Sequence, residues 1–307
     1  MQWSSTVKGF IQYLRLEKGL SANTLLAYAS DLQFAARWGR DKGWSPTTAT
    51  DADLRTLVQQ VAISGRSERT QSRLRSTLRS FYQYLALEGL VTSNPMDALR
   101  APRLPQKLPV YLTTEEVDAM VTSIDRSLET GERNFSIVET LFGCGLRVSE
   151  LVELRLRDVY FKEELVRVIG KGNKERLVPI NDFAARAMKR YIQQVRVHQS
   201  PVKGSEDHVY LNRRGKKLSR QMIFLMLRGL ATKAGISKTI GPHTLRHSFA
   251  TALVQNGADI RAVQELLGHE SIVTTEIYSH LEQKHLRMAV EMFHPWAIQQ
   301  RAKKKKG

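Results

Sequence analysis

The sequence predicts a mainly α-helical protein with one small β-sheet, divided into two domains. Three observations carry this. Apolar residues recur at helical spacing along most of the chain, a proline-rich segment lies near position 100, and the pattern changes only once, over 165–180, to strand, turn, strand. At 307 residues the chain exceeds the size at which one core usually keeps growing, which also favours two domains.

The first domain, 1–99, is expected to be a bundle of four or five helices. Helical spacing runs through Phe10, Tyr13 and Leu14, then Leu25, Leu26, Ala29 and Leu32, then Leu54, Leu57, Val58 and Val61, with Gly19, Gly43, Gly65 and Gly89 as punctuation. In the helix over 67–87, Leu74, Leu78, Phe81 and Leu85 form one seam. Arg69 and Arg73, and Arg75 and Arg79, stand four apart on its flanks, where they can meet phosphates. The segment 100–110 holds Pro102, Pro105 and Pro109, which lack amide donors and disfavour helix before them, so it reads as a linker.

The second domain, 111–307, opens with the capping-box pattern Thr113-Thr114-Glu115-Glu116, and helical periodicity then runs from Ser136 to Leu154. Leu165–Ile169 and Glu175–Ile180 read as a hairpin, with Lys171 at or beside its tip. Helices are expected at Phe183–Val197, Gln221–Ala234, Thr244–Asn256, Ile260–Leu267 and Thr274–Leu281, with a short strand at His208–Leu211. The run Lys303–Lys306 reads as a solvated tail.

With 47 Lys+Arg against 30 Asp+Glu the chain carries +17, and a polyanion is the implied partner. The charge is +7 up to Val110 and +10 beyond it, so nucleic acid is expected to meet both domains. No apolar run approaches the ~20 residues that span a bilayer, and the N-terminus has no basic region followed by an apolar stretch, so a cytoplasmic, nucleoid-associated protein without membrane contact is expected. The lone Cys144 excludes an intramolecular disulfide and a cysteine-based zinc site, and its apolar surroundings mark it as a small buried residue.

Five motifs follow in order: Gly145-Leu146-Arg147-Val148-Ser149-Glu150-Leu151, Gly170-Lys171-Gly172-Asn173-Lys174-Glu175-Arg176, His243-Thr244-Leu245-Arg246-His247, Leu267-Gly268-His269 and Thr275-Glu276-Ile277-Tyr278. Together with Phe10–Leu14, Glu17-Lys18 and Asn23-Thr24-Leu25 in front, this order resembles the tyrosine recombinases of the phage integrase family, and within them the bacterial Xer subgroup. The resemblance runs along nearly the whole chain. It implies a helical, SAM-like core-binding bundle followed by an α+β catalytic domain. Glu276 stands where glutamine is more familiar, and the end is extended by Trp296–Gln300 and the lysine run.

The resemblance also implies the roles. Arg147 and Arg246 would bind the non-bridging oxygens of a phosphodiester, a task for guanidinium because its planar fork stays charged and binds phosphate bidentately. Tyr278 would be the nucleophile. His243 would take the phenolic proton, since a hydroxyl with a pKa near 10 is mostly unreactive at neutral pH. His269 would hydrogen-bond the phosphate, and Lys171 would protonate the departing 5′ oxygen. Glu150, three residues after Arg147, would orient it, and His247 is assigned to packing or to a supporting hydrogen bond. With Pro242 starting a helix, His243 and Arg246 would project from its first turn. No cofactor and no metal enter the scheme, because two arginines and a lysine supply the charge that Mg²⁺ gives to hydrolytic nucleases.

The function so implied is site-specific DNA recombination through a 3′-phosphotyrosyl intermediate and a Holliday junction, resolving chromosome dimers at cell division. The implied partners are a double-stranded recombination site gripped by a two-domain clamp, a homotetramer or a heterotetramer with a paralogous recombinase, and a septal DNA translocase. The apolar tail around Leu286, Met288, Ala289, Val290, Met292 and Phe293 is expected to dock on a neighbouring protomer, with packing inside its own domain as the alternative. Two other functions fit the same residues: a phage or mobile-element integrase, and a catalytically silent DNA-binding protein.

Overall fold

The computed structural model describes residues 3–99, 110–170, 174–268 and 280–304, giving the backbone alone for 280–285 and 303–304. The chain forms two compact units, Met1–Gln106 and Lys107–Gly307.

The first unit holds four helices among its described residues: α1 (Trp3–Leu16), α2 (Ala22–Lys42), α3 (Asp51–Ile63) and α4 (Glu68–Leu87). Their starts follow from side-chain caps. Ser21, Thr50 and Ser67 accept the orphan amides of Thr24, Asp53 and Thr70, and Asp53 returns the bond to Thr50. The apolar seam of α4 packs Leu74, Leu78, Phe81 and Leu85 into one core with Phe10, Leu32, Leu54 and Leu57.

The second unit is built around α6 (Gly131–Cys144), buried from Ser136 to its end. Around it lie α5 (Thr114–Thr122), α7 (Val148–Glu153), α8 (Asp182–Gln194), α9 (Arg220–Lys233), α10 (Pro242–Gln255) and α11 (Ile260–Leu266), and the chain ends in α12 (His280–Phe293) and α13 (Pro295–Lys304). The capping box at Thr113 forms as expected: the Glu116 amide donates to the Thr113 hydroxyl and the Thr113 amide to the Glu116 carboxylate. Three antiparallel strands, β1 (Val159–Tyr160), β2 (Leu165–Ile169) and β3 (Glu175–Pro179), form the sheet in that order. The β2–β3 hairpin closes with Gly170 N–H donating to Lys174 O at 2.7 Å, around residues 171–173. Cys144 is buried. No described helix is long and apolar enough to cross a membrane.

Two expectations are corrected. The helix read as continuous over 136–154 is broken, because Gly145 adopts a left-handed φ of 61° that ends α6, and α7 starts afresh at Val148. His208–Leu211 is no strand; it contributes only isolated bridges, His208 to Arg155 and Leu211 to Lys217. Of the two packings open to the tail, the one within its own unit is present: Leu286, Ala289, Val290 and Trp296 sit in that core, while Met288 and Met292 are exposed. The helix expected from Thr274 falls outside the described residues up to Ser279.

Candidate active site

The break at Gly145 creates the site. Once α6 stops there, Leu146 is buried and Arg147 takes an extended conformation as the residue capping α7. The Glu150 carboxylate, one turn into α7, accepts the Arg147 amide at 2.8 Å and the Arg147 Nη1 at 2.9 Å. One turn of backbone therefore fixes both the arginine and its carboxylate. The other arm of Arg147, Nη2, donates to the carbonyl of Gly268 at 2.9 Å, and the side chain stays about a third exposed.

Arg246 reaches the same place from α10. Pro242 occupies the first position of that helix and the Thr244 hydroxyl accepts the Gly241 amide, which fixes the helix start. From the second turn the Arg246 guanidinium is buried, donating to Gly145 O at 2.7 Å and to Leu267 O, and it lies 4.0 Å from Glu150. The two arginines thus hold the consecutive carbonyls of Leu267 and Gly268.

A third guanidinium completes the cluster. Arg176, on β3, donates both terminal nitrogens to Glu150, at 2.6 Å and 3.0 Å. Burial alone would push the Glu150 carboxyl up, but Arg176, and then Arg147, hold it below the usual carboxylate range. Arg246 is pushed down to about 10, by burial first and then by Arg147, with Glu150 opposing. Three cations around one buried carboxylate leave a net charge of +2. Such an excess is costly in a poorly hydrated place unless an anion joins it.

His243 is exposed in the first turn of α10 and makes no hydrogen bond among the described residues. His247 is half-buried against the Tyr111 ring, 6.2 Å between centroids, and burial followed by His243 lowers its pKa. Lys171, His269 and Tyr278 lie outside the described residues. The structure therefore gathers Arg147, Glu150 and Arg246, with His243 on the same helix as Arg246. Arg176 stood inside a quoted motif, but sequence reasoning gave it no role. Its signal was faint: an arginine beside Glu175 on a strand reads as one more solvated charge.

In the first unit, Arg73 does not stand free. Its guanidinium makes two hydrogen bonds, of 2.9 and 2.8 Å, to the buried Asp31, which also accepts from Thr77. Arg79 donates to the carbonyls of Met96 and Leu99, bracing the turn after α4. Arg69 and Arg75 make no ion pair among the described residues.

Residues 110–285 match the model of the phage integrase family, and residues 7–89 match that of the phage integrase N-terminal SAM-like domain. Tyrosine recombinase XerD of Listeria monocytogenes serotype 4b (strain F2365) is 39% identical over 293 residues, covering 95% of this chain and 99% of that protein. Tyrosine recombinase XerD of Chlorobaculum tepidum is 39% identical over 299 residues, covering 95% and 97%. Among solved structures, XerH recombinase in a post-cleavage complex with palindromic difH substrate superposes with a TM-score of 0.68 at 22% identity, over 92% of this chain and 80% of that one. The Tn1549 transposon integrase in complex with a circular intermediate DNA gives 0.71 at 18% identity, over 98% and 99%. These two likenesses establish the fold.

Proposed function

The chain belongs to the phage integrase family of tyrosine recombinases, and we propose that it is a site-specific recombinase of the Xer kind that resolves chromosome dimers at cell division. The observation that carries this reading is the net +2 cluster of Arg147, Arg176 and Arg246 about Glu150. It is a place prepared for a phosphate, at the end of a segment that leads directly into His269.

In the reaction, Arg147 and Arg246 bind the non-bridging oxygens, whose charge grows as phosphorus becomes pentacoordinate. The Tyr278 oxygen forms a bond to phosphorus and the bond from phosphorus to the 5′ oxygen breaks. The phenolic proton passes to His243, Lys171 donates a proton to the 5′ oxygen, and His269 hydrogen-bonds the phosphate. The 3′-phosphotyrosyl ester keeps the energy of the phosphodiester, so a second 5′ hydroxyl can reverse the step on the partner strand without ATP. Repeated on paired sites by four protomers, of this chain alone or with a paralogue, the exchange passes through a Holliday junction. A septal translocase would supply the signal to start, and the work would take place in the cytoplasm at the nucleoid. Relatives named XerD along 95% of the chain support this choice over a mobile-element integrase.

The test is a nicked duplex carrying a candidate dimer-resolution site, incubated with the protein and then boiled in detergent. Wild type is expected to leave a protein–DNA adduct, and Tyr278→Phe to bind the duplex equally well and leave none. An adduct that survives in Tyr278→Phe would refute the assignment.

A further inference from the structure

We propose that Arg176 is a positioning residue for the phosphate-binding arginine pair: clamping Glu150 from β3, it holds the one arrangement of that carboxylate that orients Arg147 and counterbalances Arg246. The proposal rests on the recombinase reading above and extends it to a residue outside the six assigned to the chemistry.

The geometry separates Arg176 from an ordinary surface pair. Its side chain is 9% exposed and Glu150's 1%, and two parallel bonds join them, so neither group can turn without leaving the other unpaired. The Glu150 oxygens are shared with care: Oε1 takes a terminal nitrogen from Arg147 and one from Arg176, while Oε2 takes the Arg147 amide and the second nitrogen of Arg176. Without Arg176, half of these bonds vanish and, among the described residues, the carboxylate is held by Arg147 alone. Arg147, one of whose two guanidinium anchors is that carboxylate, would then be less firmly oriented.

A second contact points the same way. The Arg176 guanidinium lies so close to Gly268 that a Cβ built there would stand 2.9 Å from its Nε. That Nε is buried and finds no acceptor among the described residues. Arg176 therefore lies against Gly268, while Arg246 and Arg147 hold the carbonyls of Leu267 and Gly268. A single side chain touches both supports of Arg147, Glu150 and Gly268.

Charge provides the readout. Among the described residues, the charged groups facing Glu150 are Arg147 at the start of α7, Arg176 from β3 and Arg246 from α10. Arg176 is the largest influence keeping this buried carboxyl ionised. Its removal raises the pH at which Glu150 gives up its proton, and protonated Glu150 holds Arg147 with one acceptor fewer.

The experiment measures single-turnover adduct formation on the nicked duplex, from about pH 5 to pH 8, for wild type, Arg176→Gln, Arg176→Lys, Glu150→Gln and the double variant Arg176→Gln/Glu150→Gln. DNA affinity and thermal unfolding are measured beside it. Arg176→Gln is expected to cleave about 100-fold more slowly at neutral pH, the scale of a misplaced reacting group, and its deficit relative to wild type is expected to grow as pH falls, because wild type keeps Glu150 ionised there. Its DNA affinity is expected to stay within about threefold of wild type, since the Arg176 guanidinium is committed to Glu150. Arg176→Lys, which keeps the charge and loses the fork, should fall between the two and remains informative if the glutamine variant folds poorly. In the Glu150→Gln background the Arg176→Gln change should cost less than about twofold, because the group it acts through is already altered. Equal losses in both backgrounds, a loss of the same factor at every pH, or an Arg176→Gln rate within about twofold of wild type would overturn the proposal while wild-type adduct still upholds the recombinase reading. No adduct from wild type would remove that reading, and this inference with it.

Discussion

The indole N–H of Trp296 donates to the carboxylate of Asp118 at 2.7 Å, tying the start of α13 to α5. The ring is packed edge-on against Phe142 of the central helix, 4.8 Å between centroids, and it is buried. This latch makes the C-terminal tail part of its own unit's core. Trp296→Ala is expected to cost about 3–5 kcal/mol, the usual range for a buried tryptophan. Trp296→Phe, which keeps most of the packing and loses one hydrogen bond, should cost about 1 kcal/mol. Urea unfolding followed by circular dichroism measures both, and equal midpoints for wild type and the alanine variant would show the tail to be loosely held.

Gly145 is required twice. Its φ of 61° favours glycine, and a Cβ would stand 2.3 Å from the Phe249 ring, while its carbonyl is the acceptor for Arg246. Gly145→Ala must therefore shift the ring or the backbone, and either moves the carbonyl against which Arg246 leans. Adduct formation is expected to fall at least about 100-fold, as for a reacting group displaced by ~1 Å, with a stability loss of about 1–3 kcal/mol from overpacking. Single-turnover cleavage and unfolding midpoints check the two parts separately.

The same glycine shows where the sequence was hard to read. Helical periodicity runs on from Ser136 to Leu154, and hydrophobic period alone cannot register one left-handed residue within it. The hairpin was legible at both strands because β2 alternates in and out and Gly170 marks its turn. Helix starts at Thr113 and Pro242 were legible because their signals are local. Arg176 was not, since its meaning depends on a carboxylate 26 positions earlier in the chain. What covers the tail was not legible for a related reason: an apolar face says that it is covered, and only the fold says by what.

Two buried groups set opposite limits on stability with pH. His294 is fully buried, its ring against those of both Phe142 and Trp296, and burial pushes its pKa down to about 4. Because the unfolded chain takes up this proton near pH 6.5 and the folded chain does not, stability falls as pH drops from there toward 4. Glu139 behaves in the reverse sense: burial, then Asp118, raises it to about 8, so the stability it contributes below its ordinary pKa is lost as pH rises toward 8. A broad maximum between these limits is expected in urea unfolding measured from pH 4 to 9. Glu139→Gln should flatten the alkaline side and leave the His294 slope unopposed up to about pH 6.5, and an unchanged alkaline slope would rule Glu139 out as its cause.

The four arginines of α4 divide by partner, and the division predicts two kinds of variant. Arg73 neutralises Asp31, which is 3% exposed, and its loss would leave that carboxylate, among the described residues, with the Thr77 hydroxyl for support. Because Arg73 itself is partly exposed, water can replace some of what is lost, so Arg73→Ala is expected to cost about 1–3 kcal/mol of stability in the first unit. Arg69 and Arg75 make no ion pair among the described residues, so Arg69→Ala and Arg75→Ala should leave the unfolding midpoint within about 0.5 kcal/mol of wild type. If they meet phosphates, each should weaken duplex binding similarly across sequences and reduce the slope of log affinity against log salt by about 1. Titrations at several salt concentrations decide the matter. A salt slope that falls for Arg73→Ala but not for Arg69→Ala or Arg75→Ala would reverse the division, and would mean that DNA competes with Asp31 for the Arg73 guanidinium.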